Sequence, residues 1–85
     1  MPEIEIGTVT HYFDKIGVAA IRIDNGELAV GDTVHIVGHT TNVTVTIESM
    51  QIEHNKVQKA GAGQIIGAKV SQKVREHDKV FKVVP

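Results

Sequence analysis

Five histidines, His11, His35, His39, His54 and His77, are the side chains best suited to hold a metal ion or move a proton. His35 and His39 stand closest in sequence. Along a strand, residues four apart lie about 13 Å from each other, so one ion would require Gly38 to turn the chain back. No acid stands at a recognisable ligand spacing, and neither a metal nor another cofactor is expected. Nucleophilic catalysis lacks parts as well. There is no cysteine, and Ser49 and Ser71 sit in strand or loop sequence without an elbow turn or an adjacent base. Glu76 and Asp78 lie among Lys73, Arg75 and Lys79, which reads as a self-neutralising wet loop. The expectation is a non-enzyme with no catalytic residue.

Gly61-Ala62-Gly63-Gln64-Ile65-Ile66-Gly67 is the one glycine-rich stretch, and such turns can cradle phosphate. Its spacing matches neither the dinucleotide fingerprint nor the phosphate loop, and the Lys-Ser/Thr ending is missing. Those loops aim a helix amino terminus at the phosphate, whereas strand sequence follows here, so no nucleotide is expected. Charge offers a different chemistry. Residues 1–55 hold two bases against eight acids, and residues 56–85 hold seven bases against two, for −6 and +5 in a chain of net charge −1. A basic face built from Lys69, Lys73, Arg75 and Lys79 would bind RNA through its backbone phosphates. Stacking platforms are scarce, since Tyr12, Phe13 and Phe81 are the only aromatic rings apart from histidine and Phe81 reads as core. The alternative reading is that these lysines guard strand edges, and that folding mixes the two halves.

These residues must be positioned by a very small framework. Eighty-five residues form one domain, expected over residues 1–85, with room for a modest core and none for a separate catalytic unit. The 41% apolar and 22% charged fractions are those of an ordinary globular chain. No apolar run nears the roughly 20 residues of a membrane helix, and Met1-Pro2-Glu3-Ile4-Glu5 has no signal-peptide character. A cytoplasmic location and no membrane partner are therefore expected. Asn42-Val43-Thr44 fits a glycosylation sequon but reads as strand.

Nearly every segment alternates with period two, and Val, Ile and Thr dominate. Glu3 to Phe13 reads as a strand bent or bulged at Gly7, with Ile4 and Ile6 on one face and Val9 taking over beyond the bend. Asp14-Lys15-Ile16-Gly17 joins it to a strand from Val18 to Ile23, forming a hairpin. A long connection through Asn25-Gly26 and Leu28 to Asp32 leads to a strand from Thr33 to Val37. Asn42 to His54 then reads as one long strand. Its apolar set switches from Val43, Val45 and Ile47 to Met50 and Ile52, so a bulge at Glu48-Ser49 is required. Asn55 to Gly63 reads as a polar connection, Gln64–Val70 and Lys79–Val84 as the last strands. Without a helix to cover a sheet, the strands must close: the expected fold is all-β, a small closed six- to seven-stranded Greek-key barrel.

Ile6-Gly7-Thr8-Val9, Gly17 to Ile23, and above all Gly26-Glu27-Leu28-Ala29-Val30-Gly31-Asp32-Thr33-Val34-His35-Ile36-Val37-Gly38 follow a familiar order. With Ala60-Gly61-Ala62-Gly63-Gln64-Ile65-Ile66-Gly67-Ala68 and a closing segment from Val74 to Val83, the chain resembles the second domain, a β-barrel, of translational GTPases of the elongation factor Tu type. The resemblance covers almost the whole chain and implies a translation-factor-like, free-standing barrel that docks on RNA or a ribosomal surface. It implies no GTP binding, because the GTPase domain of those factors is absent here. Similar barrels also serve as accessory domains on collagenase-like peptidases, which implies the alternative of a protein-interaction barrel docking on a separate enzyme chain. In both readings Gly67 is expected to allow close packing where the chain re-enters the barrel.

Overall fold

Alternating β-branched residues produce strands wherever the sequence carries them. The computed structural model describes residues 2–84, and among these it contains ten strands and no helix. In chain order they are β1 (Glu3–Phe13), β2 (Val18–Ile23), β3 (Glu27–Ala29), β4 (Thr33–Val37), β5 (Asn42–Thr46), β6 (Met50–Ile52), β7 (Asn55–Val57), β8 (Lys59–Gly61), β9 (Ile65–Lys69) and β10 (Lys79–Val83). Eight form an antiparallel sheet in the order β5-β4-β10-β1-β2-β9-β6-β7, and β3 pairs with β8 as a separate ribbon. Placing β10 between β4 and β1, and β9 between β2 and β6, gives Greek-key connectivity.

Chain length shows that this sheet is curled shut. In a flat sheet β5 and β6 would lie six strand spacings apart, about 29 Å. Only Ile47, Glu48 and Ser49 join them, a link that spans at most about 14 Å. The ends of the sheet must therefore meet. Ile47 marks the seam: its amide donates to the Asp32 carbonyl and its carbonyl accepts from Gly31, both at 2.8 Å. Its side chain is buried with Ile21, Ile23, Ile36, Ile66, Val34 and Val80 in the barrel interior.

The bends needed for closure fall where the sequence yields. Register shifts occur in β1 between Glu5 and Gly7 against β10, and between Val9 and His11 against β2. At the first, Gly7 lies so close to β2 that a Cβ would overlap the Arg22 carbonyl oxygen. At the second, the Val9 amide donates to the Asp78 carbonyl at 2.9 Å and its carbonyl accepts from His77 at 2.8 Å, which ties the 70–78 connection onto β1. Asp78 is buried and its Oδ2 accepts from the Arg75 amide at 2.8 Å, capping that turn. Gly38 provides the space for the Asp78 carboxylate.

The expected barrel is present but more finely divided. The 42–54 segment breaks at the anticipated parity change into β5 and β6, and its last residues turn the chain back into β7. The 55–63 connection contributes β7 and β8, and the 24–32 connection contributes β3. Leu28 and Ala60, opposite each other in this ribbon, are both buried, which explains why a segment that reads as a loop forms structure. Two side chains sit differently from the sequence reading. Ile4 is exposed, because β1 overruns the core at that end, and Phe81 is half-buried on the outer parity of β10, beside Glu5 and His35.

Candidate docking groove

On the outer face of β2, β9 and β6, the pairings set three short rows of side chains. Val18 stands opposite Lys69, Ala20 opposite Gly67, which has Gln51 on its other side, and Arg22 opposite Ile65. Continuing the β6 register places Ser49 beside Lys69 and Glu53 beside Ile65. Ala20 and Gly67 leave the β2 and β9 part of the middle row almost without side-chain bulk, with Gln51 beyond them on β6, and form the floor of an open groove of about 520 Å³. Phe13 and Ile16 of the first hairpin rise beside the Lys69 end, while Ile65 and the Glu53-His54 turn border the other. Phe13, Ile16 and Ile65 are 46%, 62% and 53% exposed. Single exposed apolar residues are normal, but three lining one concavity with a bare floor have the composition of an interaction site.

Local structure holds the rim in place. Gly17, at φ 66°, closes the hairpin that presents Ile16, with its amide on the Phe13 carbonyl at 2.9 Å. His11 meets the Phe13 ring edge-on at 4.5 Å and its Nδ1 lies 3.3 Å from Glu76. At the far end, Glu53 and His54 form the two-residue turn of the β6–β7 hairpin with φ of 49° and 68°. Both occupy the left-handed region that glycine and asparagine prefer. A Cβ at Gly67 would meet only Val18 Cγ1, at 3.4 Å, an ordinary contact. Contrary to the sequence expectation, close packing does not require this glycine; its effect is to leave the groove floor open.

The four cations picked out by charge are divided among three places. Lys69 lines the groove. Lys73 and Arg75 share a shallow depression with His11, Tyr12, Asp14 and Glu76, where the Arg75 Nε donates to the Thr40 hydroxyl at 2.9 Å. Lys79 faces Glu5 at 3.7 Å. Folding also mixes the two halves of the chain: Lys59 pairs with Glu27 at 3.1 Å and Lys82 with Asp32 at 3.2 Å. Three bases of the basic third thus meet acids of the acidic part.

The glycine-rich stretch has spent its amides internally. Gly61 donates to Gln64 Oε1 at 2.8 Å, Gly63 to the Ile23 carbonyl at 2.8 Å and Gln64 to the Gly61 carbonyl at 3.2 Å. The histidines have local roles too. His35, between Glu3 at 3.0 Å and Asn42 at 2.5 Å, has its pKa raised by those bonds, to Asn42 first and then Glu3. Ser49 and His54 line opposite ends of the groove, and no hydrogen bond joins them. Beside β2, Asp24 accepts from Arg22 Nε at 2.6 Å and from the Thr8 hydroxyl at 3.0 Å, which lowers its pKa, while Arg22's is raised.

Sequence reasoning passed over the groove because its parts lie on separate strands. A usable signal was present: Ile65 shares the parity of Gly67 and Lys69, hence points outward, and Ile16 sits in a turn.

Comparison with known proteins agrees with the barrel. An uncharacterized protease of Methanocaldococcus jannaschii is 41% identical over 80 residues, covering 93% of this chain and 19% of that protein. A collagenase of Porphyromonas gingivalis is 40% identical over 81 residues, covering 94% of this chain and 20% of its own. The chain thus spans about a fifth of the length of the curated relatives it matches. The crystal structure of the C-terminal domain of a Geobacillus thermoleovorans U32 peptidase candidate superimposes with a TM-score of 0.87 at 26% identity, covering 95% of this chain and 93% of that one. The family model of elongation factor Tu domain 2 matches residues 17–80, three quarters of the sequence, and the chain belongs to that family.

Proposed function

We propose that this protein is a non-catalytic accessory barrel that docks on a peptidase-type polypeptide through the groove over Ala20 and Gly67. The observation that carries this reading is the gathering of Phe13, Ile16 and Ile65 around one bare floor. A side chain that stays wet in the free barrel gains by burial against a partner, roughly 25 cal/mol for each Å² of apolar surface. The company the domain keeps supports the choice of partner. In the relatives the same barrel is about a fifth of a longer chain called a protease or a collagenase, and a U32 peptidase candidate carries it as its C-terminal domain. RNA docking through Lys69, Lys73, Arg75 and Lys79 gains no comparable support, since these cations are dispersed and Lys79 is paired.

The test is calorimetric titration of the barrel into a peptidase of this type from the same source, expressed without a barrel of its own. Binding in the micromolar range, about −8 kcal/mol, is expected. Phe13→Ser with Ile16→Ser should weaken it at least about tenfold, because both side chains are already exposed and the fold loses little. Binding that is absent, or that ignores this pair, would refute the reading. So would salt-sensitive RNA binding that is lost in Lys73→Glu/Arg75→Glu.

A further inference from the structure

The groove has an electrical direction as well as an apolar floor. Lys69 stands at one end and Glu53 at the other, and neither forms an ion pair among the described residues. Arg22, beside the Ile65 end, is held by Asp24 at 2.6 Å, and Lys56, opposite Gln51 on β7, stands on the same face but outside the groove lining. His54 shares the Glu53 end. The rows of the floor are spaced by two residues along β9, from Lys69 to Gly67 to Ile65, or about 7 Å each. An extended segment laid along β9 has the same spacing between side chains on one face.

From this match we infer that the groove receives an extended segment of the peptidase-type partner in a set pattern. One bulky apolar side chain seats over Gly67 and Ala20, a carboxylate two residues away reaches Lys69, and a cation two residues the other way reaches Glu53. The inference rests on the docking reading and adds the chemistry of the docked segment. Gly67 is the pivot of the pattern: with no Cβ at this position the floor stays open between Phe13 and Ile16 at one end and Ile65 at the other. The carboxylate and the cation set the placement more than the strength, because exposed ion pairs contribute little each. Either chain direction satisfies the charges, so the direction follows from where in the partner sequence the acid and the base lie.

The test uses capped peptides and the amide resonances of Ala20, Gln51, Gly67 and Lys69 at low ionic strength and about pH 8, above the usual imidazole range. Glu-Thr-Leu-Thr-Lys should shift these amides at lower concentration than Lys-Thr-Leu-Thr-Lys or Glu-Thr-Leu-Thr-Glu, by about threefold. Glu-Thr-Ala-Thr-Lys should be weaker still. Lys69→Glu should reverse the order in favour of the peptide with two lysines, and Lys69→Glu with Glu53→Lys should restore the original order. Gly67→Val should abolish the shifts while the barrel stays folded.

Equal shifts from all the charged peptides, no shifts, or an order unchanged by Lys69→Glu would overturn the inference. Shifts of the same amides on raising protein concentration alone, without peptide, would make a second copy of the chain the occupant and overturn it as well. The two readings fail separately. A barrel that ranks the peptides as stated but binds no peptidase loses the docking reading; one that binds the peptidase yet ranks the peptides alike loses only the charge pattern.

Discussion

Two glycines in the middle of strands, Gly7 and Gly67, should respond in opposite ways to the same added methyl group. In β1, a Cβ on Gly7 would overlap the Arg22 carbonyl oxygen and lie 3.3 Å from both the Arg22 carbonyl carbon and Ile21 Cγ2. None of these atoms is the free end of a flexible side chain, so β2 as a whole must move away. The movement strikes the bulge where the Ile6 carbonyl accepts from Asp24 at 2.7 Å and Asn25 at 3.1 Å, and it displaces the fully buried Ile21 and Ile23. Overfilling a packed site costs about 1–3 kcal/mol, and a forced backbone shift puts Gly7→Ala at the upper end. For a domain of this size, about 2–3 kcal/mol lowers the melting temperature by roughly 10–20 °C. At Gly67 the new Cβ meets Val18 Cγ1 at 3.4 Å, with no positive φ to oppose it. Relief of glycine's chain entropy should leave Gly67→Ala neutral or up to about 1 kcal/mol more stable. Thermal unfolding of the two variants followed by circular dichroism decides the matter. If Gly7→Ala melts within about 2 °C of the parent, the account of the β1 bulge is wrong.

Other expectations follow from the turns and from one histidine. Asp78→Ala removes the acceptor of the Arg75 amide from a buried site and should cost about 1–2 kcal/mol in urea unfolding. Because Glu53 and His54 both have positive φ, Glu53→Asn with His54→Gly should stabilise the β6–β7 hairpin by about 1 kcal/mol, read as a higher urea midpoint. Protonated His35 donates to Asn42 and Glu3, so its pKa in the folded protein lies above the ordinary 6.5. This contribution is fully present below 6.5 and lost as pH rises through the raised value. Melting curves from about pH 5 to about pH 9 should therefore show the gap between the parent and His35→Gln narrowing on the alkaline side; a gap that widens there would count against the assignment.

The strands were legible in the sequence wherever one face is wet. β2 and β4 end where the run of β-branched residues ends, β1 continues through His11 and Tyr12 to Phe13, and the switch from Ile47 to Met50 announced the break at the seam. The short ribbon was not legible: three residues are too few to show a period, and Leu28 becomes core only through Ala60, about thirty residues later. The spatial distribution of charge was not legible either, for the same reason. The excess of bases after residue 55 is real in sequence, but antiparallel pairing carries Lys79 to Glu5, and Lys82 and Lys59 reach Asp32 and Glu27. The groove depends on register between three strands, which no local pattern records. Only the outward parity of Ile65 and the turn position of Ile16 hinted at it.

Because three exposed isoleucines report on different places, their methyl resonances test the central claim most directly. Ile16 and Ile65 border the groove, while Ile4, 47% exposed at the far end of β1, does not line it. On adding the peptidase-type partner, the Ile16 and Ile65 methyl signals should shift or broaden while that of Ile4 stays in place. Shifts confined to Ile4, or a partner that binds with all three unchanged, would contradict docking through the groove.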